Sequence, residues 1–185
     1  MATIFRTTMQ PTKLELLTGW MPRQSWWVGG DRPPQLVPAG GFRLDDPLGE
    51  VGVESIFVTD VSGGQPVTYH VPLSYRAGPL VGAEHALVGT SEHGVLGRRW
   101  VHDGLSDPVL TAALDAFVHG RVQAQHQSTS DTPDPSVTVS GDPPADAVVE
   151  LVRVLGGEAT APCRVEAGWS LPDGTTVRGP VALVR

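Results

Sequence analysis

His85, His93, His102 and Asp103 fall within one candidate hairpin, with Glu84 and Glu92 beside two of the histidines and Arg98 and Arg99 between them. Imidazole and carboxylate are zinc ligands and general acid–base groups, so a hairpin that brings these side chains together would be a generic metal or proton-transfer cluster. No HExxH, paired CxxC or facial-triad spacing accompanies them. No metal is therefore assigned, and histidines flanked by arginines read first as surface polar groups or turn residues. The stretch Gly89-Thr90-Ser91-Glu92-His93 approaches the G-x-S-x-G elbow of serine hydrolases, but His93 stands where the tight turn needs glycine. Phosphoryl transfer of the protein-kinase type needs an aspartate two residues after a histidine, and none of the six histidines has one. Lys13 is the only lysine and follows no glycine-rich loop, which excludes a P-loop. Neither a catalytic residue nor a cofactor is assigned on these patterns.

The segment Gly19-Trp20-Met21-Pro22-Arg23-Gln24-Ser25-Trp26-Trp27 gathers three of the five tryptophans beside an arginine at a predicted helix end. Two readings stand. In one, the rings clamp the helix end onto a sheet while Arg23 and Gln24 satisfy its terminal carbonyls. In the other, Trp20, Arg23, Gln24, Trp26 and Trp27 form an aromatic–arginine surface suited to a sugar ring or a partner's hot spot. Composition favours the clamp, because large rings carry so much burial energy.

Positioning these groups falls to a few elements. Thr12 and Glu15 make a capping box for a short helix whose apolar side holds Leu14, Leu16, Leu17, Trp20 and Met21, and Pro22 stops it. Period-two patterns over 51–59 and 67–75, joined at Gly63-Gly64, predict a hairpin with one buried face, and Pro72 predicts a bulge or strand edge there. Residues 84–90 and 95–102 read as two further strands around a turn at 91–94. Asp107-Pro108 starts a second helix, with Val109, Leu110, Ala113, Leu114, Phe117 and Val118 at helical spacing. Residues 128–147 form a polar, proline-rich excursion. Residues 148–155, 164–171 and 176–184 read as a C-terminal β unit turning at Pro172-Asp173-Gly174-Thr175 and completing the first sheet. The expectation is one α+β domain over 1–185: main sheet and helices in 1–127, the excursion in 128–147, and the β unit in 148–185.

The 185 residues carry 13 Lys+Arg against 20 Asp+Glu, a net charge of −7 that argues against a nucleic-acid partner. Cys163 is the only cysteine, so no intrachain disulfide forms, and it reads as a small buried side chain. The residues Met1-Ala2-Thr3-Ile4-Phe5-Arg6 lack the pattern of a signal peptide, and no apolar run is long enough for a membrane span. A cytoplasmic protein is expected.

Trp20-Met21-Pro22-Arg23-Gln24-Ser25-Trp26-Trp27 resembles the W-L-P-x-Q-x-W-Y signature of the N-terminal cap domain of bacterial maltokinases. The strand pair over 51–59 and 68–75 (Tyr-His-Val-Pro-Leu-Ser-Tyr), and Ala86-Leu87-Val88-Gly89-Thr90 leading to Trp100-Val101-His102-Asp103, extend the resemblance over roughly residues 12–120. The whole chain is closer still to stand-alone cap-like proteins, some of which carry the borrowed name 1,4-alpha-glucan branching protein. Gly41-Phe42-Arg43-Leu44-Asp45-Asp46-Pro47 looks like a feature of that group. The resemblance implies a curved antiparallel sheet with a few helices, likened to cystatin topology. It also implies an accessory role beside a kinase or another enzyme of maltose, trehalose or glycogen metabolism. Catalytic and nucleotide residues of those enzymes lie in the kinase part, so only fold-defining or docking roles pass to Arg23, Gln24, Trp26 and Trp27. A branching activity gains no support, because 185 residues cannot hold the barrel it needs. The alternative is a sugar- or nucleotide-binding protein or small enzyme using residues 20–27 or the hairpin of residues 85–103.

Overall fold

A computed structural model describes residues 8–185; the leader-free reading of Met1 to Arg6 lies outside them. The described residues are mostly antiparallel β-structure with two short α-helices. Strands β1 (Met9–Gln10), β2 (Leu36–Leu44), β3 (Gly52–Asp60), β4 (Val67–Arg76), β5 (Leu87–His93), β6 (Gly97–Asp103) and β7 (Gln125–His126) form one curled sheet in the order β1-β5-β6-β4-β3-β2-β7. Strands β8 (Thr138–Ser140), β9 (Val149–Leu151), β10 (Cys163–Ser170) and β11 (Thr176–Val184) form a second sheet, ordered β8-β10-β11-β9.

Helix α1 (Lys13–Trp20) starts at the capping box: Thr12 Oγ1 accepts from the Glu15 amide at 3.2 Å, and the Glu15 carboxylate accepts from the Thr12 amide at 2.7 Å. A 3₁₀ turn at Met21–Arg23 follows, with Pro22 in it. Leu17, Trp20 and Met21 are buried against Ile56, Val58, Tyr69, Val71 and Val101 on one face of the first sheet. Helix α2 (Pro108–Val118) begins at Asp107, whose carboxylate accepts from the Val109 amide at 3.0 Å. Its Leu110, Leu114 and Phe117 pack on the opposite face with Phe42, Val53 and Phe57, and with Val165, Trp169 and Val181 of the second sheet. That shared core explains a difference from the sequence pattern. β3 and β4 are buried on both faces, because the C-terminal strands do not extend the first sheet but lie on it. Burying a ring such as Phe57, 1% exposed between Phe42 and Trp169, stabilises by about 2–3 kcal/mol, which gives the second sheet its hold on the first.

Among the described residues of the C-terminal part, only residues 153–155 bond backbone to backbone with the first sheet. The His70 amide donates to the Arg153 carbonyl at 2.9 Å, and the Leu155 amide donates to the Thr68 carbonyl at 2.8 Å, along the edge of β4 that β6 leaves open. Pro72 stands where that edge changes occupant: β6 pairs with β4 only from Leu73 onward, and the β3–β4 register runs through Pro72 without a bulge. Its missing N–H therefore leaves no ladder bond unmade.

Strand β2 has no counterpart in the sequence reading. Its Leu-Val-Pro-Ala-Gly-Gly-Phe-Arg-Leu is broken by a proline and two glycines, and the register against β3 shifts between Pro38 and Gly40. Gly40 and Gly41 have φ of 134° and 146°. A methyl group at Gly41 would overlap the Ser55 carbonyl oxygen and crowd Gln127 Nε2. Gly41→Ala is therefore expected to lower stability by about 2 kcal/mol or more, read as a fall in the urea midpoint at unchanged slope.

Candidate functional site

The aromatic motif is a cluster closed by a residue from far along the chain. Trp20 is 3% exposed, and Trp26 lies 5.8 Å from it, ring centre to ring centre. Trp27 stacks on Tyr69 at 4.9 Å with the planes 17° apart, and Trp26 tilts against the same ring at 5.9 Å. Gln24 Nε2 donates to the Trp20 carbonyl at 3.2 Å, as a helix-terminal clamp requires. Arg23 is exposed and makes no ion pair among the described residues. Instead the guanidinium on the motif belongs to Arg153, 5.0 Å over the Trp26 ring, with Nη2 2.6 Å from Asp103 Oδ2. Both members of this ion pair are largely buried, and Arg153 Nη1 has no acceptor among the described residues.

The five polar candidates of residues 85–103 separate. Ion-paired Asp103 faces the aromatic motif; His102, one residue earlier on β6, points to the other side. His102 pairs across β5 with Leu87, whereas His93 pairs with Gly97 beside the turn, roughly 20 Å along the strand. His93 Nδ1 accepts from the Leu96 amide at 3.0 Å and holds that turn. Arg98 forms an exposed ion pair with Glu92 at 2.6 Å, and His85 is exposed on a 3₁₀ turn at Glu84–Ala86. Among the described residues no group of three or more His, Cys, Asp or Glu is placed to hold a metal ion.

Three polar centres escaped the sequence reading. The first is Glu54, 2% exposed on β3, whose carboxylate accepts from Lys13 Nζ at 2.7 and 2.8 Å, Tyr75 Oη at 2.8 Å and Gln127 Nε2 at 3.0 Å. Burial pushes this carboxyl upward, but the charges of Lys13 and Arg43 and the bonds from Lys13 and Tyr75 outweigh it and hold it below its ordinary value. Burial, with Glu54 alongside, drives the Tyr75 phenol well above its own. In the second, Arg76 grips Asp107 by two bonds of 2.7 Å, and Asp107, though fully enclosed, stays below the usual carboxylate range because Arg76 and the Val109 amide outweigh burial. Ser74 and His102 are cross-strand neighbours beside this pair, yet both are buried, and the Asp107 carboxylate is committed to Arg76 and the helix cap. The third is His70, 1% exposed between the sheets, with Nδ1 3.1 Å from the Val181 carbonyl oxygen. Burial and the Arg153 charge lower it to about 3, against the opposing bond to Val181.

Of the surfaces left open, one lies on β4, β6 and β5 away from α1. Register places Trp100 there between Arg76 and Thr90, with Arg98 and Glu92 beyond. Trp100 is partly exposed and makes no ring contact among the described residues. Leu87 on β5, and Val95 and Leu96 at the hairpin tip, are 38%, 60% and 44% exposed. In the sequence this tryptophan figures only within Trp100-Val101-His102-Asp103 and not as a candidate site residue, since it stands apart from the other aromatic residues.

Residues 20–107, just under half of the chain, match the family model of the maltokinase N-terminal cap domain. The match contains the aromatic motif, Glu54, the hairpin of β5 and β6, and Trp100, but not Arg153 or the second sheet. Neither a curated protein nor a solved structure matches the chain. No helix among the described residues is long and apolar enough to cross a membrane.

Proposed function

We propose, on the premise that residues 20–107 are a maltokinase N-terminal cap domain, that the chain is a non-catalytic accessory protein that docks a protein partner in the cytoplasm. The partner is a kinase or other enzyme of α-glucan metabolism, and the docking face is the outer surface of β4, β6 and β5. The observation that carries this reading is Trp100: a partly exposed indole with no ring partner among the described residues, inside the matched segment, on the hairpin that also exposes Leu87, Val95 and Leu96. Tryptophans in such settings dominate interface energies. By contrast, the rings of Trp26 and Trp27 already face Tyr69 and Arg153, which favours the clamp for residues 20–27. Residues 1–185 are taken as one unit, and helix α1 laid across the meander of β2, β3 and β4 supports comparison with cystatin-type topology.

The test is titration of the intact chain with a maltokinase-type kinase domain stripped of its own cap, by calorimetry. Trp100→Ala is expected to cost about 2 kcal/mol, roughly thirtyfold in Kd, with little change in thermal stability. Equal affinities for wild type and variant, or no association, would remove the assignment of this face. The alternative small-molecule reading predicts that maltose, trehalose, glucosamine or a nucleotide shifts tryptophan emission in the absence of any protein. Flat titrations across that panel count against it.

A further inference from the structure

A second open feature lies at the seam between the sheets, away from the Trp100 face, and does not depend on the docking reading. It is a length of sheet edge. Strand β11 pairs with β10 from Thr176 to Val184 with one bulge, but β9 covers its other edge only at Ala182, Leu183 and Val184. The Val152 amide adds one bond, to the Val181 carbonyl, and residues 153–155 then turn away to β4. From Pro180 back to Thr176 that edge has no strand partner among the described residues.

The hairpin fixes which groups point there. The Leu171 amide donates to the Thr175 carbonyl at 2.7 Å, so Thr175 faces β10. Alternation along an antiparallel strand then turns Val177 and Gly179 toward β10, and the amides and carbonyls of Thr176 and Arg178 outward. Two donors and two acceptors thus stand on the edge, repeating at about 6.8 Å along the strand. None of them has a backbone partner among the described residues. Pro180 brings no amide proton, so the available ladder ends there. This edge is one wall of a cleft of about 640 Å³, faced by residues 66–68 and 154–157. The inner lining is apolar: Val67, Val154, Trp169, Leu171 and Val177. Gly179 lies beside the Trp169 ring and adds no side chain to fill the space. The Arg178 side chain leaves for the outer face of the second sheet, bonded to the Ser136 carbonyl and to Thr138 Oγ1 at 2.6 Å. What Arg178 gives the cleft is its main chain.

We infer that this edge binds an extended peptide segment of a partner protein, added to β11 antiparallel and in line with β9, its alternate side chains turned into the cleft. Two observations select this occupant. Main-chain donors and acceptors at a two-residue repeat are answered by another strand, whereas a compact apolar molecule would leave them unbonded. The fold itself already fills the adjoining part of the same edge in this way, with β9 and Val152. The lining sets the pattern of the segment. Side chains opposite Val177 and Gly179 are apolar, the larger one at Gly179, and the one opposite Arg178 is polar and faces outward. Most of the walls come from residues outside the cap match, so this is a property the C-terminal part adds to the cap.

The probe is the end-capped peptide Lys-Thr-Leu-Thr-Val-Thr-Lys, added to the native chain and followed by amide hydrogen exchange in NMR spectra. In the free chain the amides of Thr176 and Arg178 are expected to exchange about tenfold faster than those of Val177 and Gly179, or more. At about ten times its Kd the peptide should slow Thr176 and Arg178 roughly tenfold and leave Val177 and Gly179 little changed. Two relatives of the peptide separate strand pairing from simple adhesion. The isomer Lys-Thr-Leu-Val-Thr-Thr-Lys splits the apolar pair between two faces, and N-methylation of the central threonine removes the donor opposite Arg178. Each is expected to bind about tenfold more weakly. Thr176→Pro deletes an outward donor without touching a β10 bond and should weaken the first peptide by a similar factor, with the urea midpoint checking the fold. The modified peptides keep the test independent of that variant. No slowing at Thr176 and Arg178, or equal slowing by the isomer, would overturn the inference. Slow exchange in the free chain would overturn it too, assigning the edge to a second copy where it grows with protein concentration and to the chain itself where it does not.

Discussion

Lys13→Met is expected to lower the unfolding free energy by about 3 kcal/mol, a large share of the margin of a domain this size. The reason lies in what remains. Glu54 is 2% exposed, and among the described residues Lys13 is its only bonded cation, contributing two of the four hydrogen bonds it accepts there. Without Lys13 the carboxylate keeps Tyr75, Gln127 and the charge of Arg43, which soften the loss, but a buried anion without its cation is a costly state. Burial, less opposed without Lys13, then moves the Glu54 carboxyl upward, so the stability difference from wild type narrows as pH falls. Replacing both partners, Lys13→Met with Glu54→Gln, should recover much of the loss, since the amide still accepts from Tyr75 and no buried charge is left. Urea unfolding of the three proteins at pH 7 and pH 5 measures this. A single variant within 0.5 kcal/mol of wild type would mean that Glu54 is protonated or solvated in the native state.

This network shows where the sequence could be read and where it could not. The capping box, the Asp107-Pro108 helix start, the strands at 51–59 and 67–75 and the turn at 172–175 rest on neighbours a few residues apart, and each appears in the structure. Strand β2 does not announce itself, because pairing with β3 overrides the proline and glycines that read locally as loop. The turn between β5 and β6 falls at residues 94–96 rather than 91–94, since His93 Nδ1 takes the amides of Val95 and Leu96.

Long-range pairing hid the rest. Lys13 and Glu54, Arg76 and Asp107, and Asp103 and Arg153 are separated by 41, 31 and 50 positions. No periodicity links such pairs. The aromatic motif was legible as a cluster, but the cation on it was not, because Arg153 sits in a stretch that reads as one continuous strand. That stretch divides: Val149–Leu151 joins the second sheet, and residues 153–155 cross to the edge of β4. Polar residues within β3 and β4 suggested a solvated face. In the structure Ser55, Thr59, Thr68 and His70 are buried beneath the second sheet, with Thr59 and Thr68 bonded to each other at 2.9 Å.

His70 turns that burial into a pH dependence. Its imidazole is neutral between the sheets and titrates at about 3, against 6.5 as the ordinary value, because burial and then the Arg153 charge oppose protonation. An unfolded chain takes up this proton as pH falls through 6.5, while the folded chain does not until about 3. Unfolding therefore gains protons throughout that window, and stability falls with falling pH by up to ~1.4 kcal/mol per unit. The contribution is fully present above pH 6.5. His102 and His93 are also lowered and act in the same direction, whereas His119, raised by the carbonyls of Asp115 and Pro144, acts in the opposite one. Glu54 and Asp107, held below their ordinary values, lose their contributions only at lower pH, as the carboxylates themselves titrate. His70→Gln keeps a side-chain donor for the Val181 carbonyl and removes the titration. Its expected signature is lower stability at pH 7.5, through imperfect packing beside Phe57, together with a distinctly flatter profile between pH 6.5 and 4.5. Urea midpoints across that range decide it. Parallel profiles for variant and wild type would show that His70 is protonated in the folded state or that water reaches its Nε2 between the sheets.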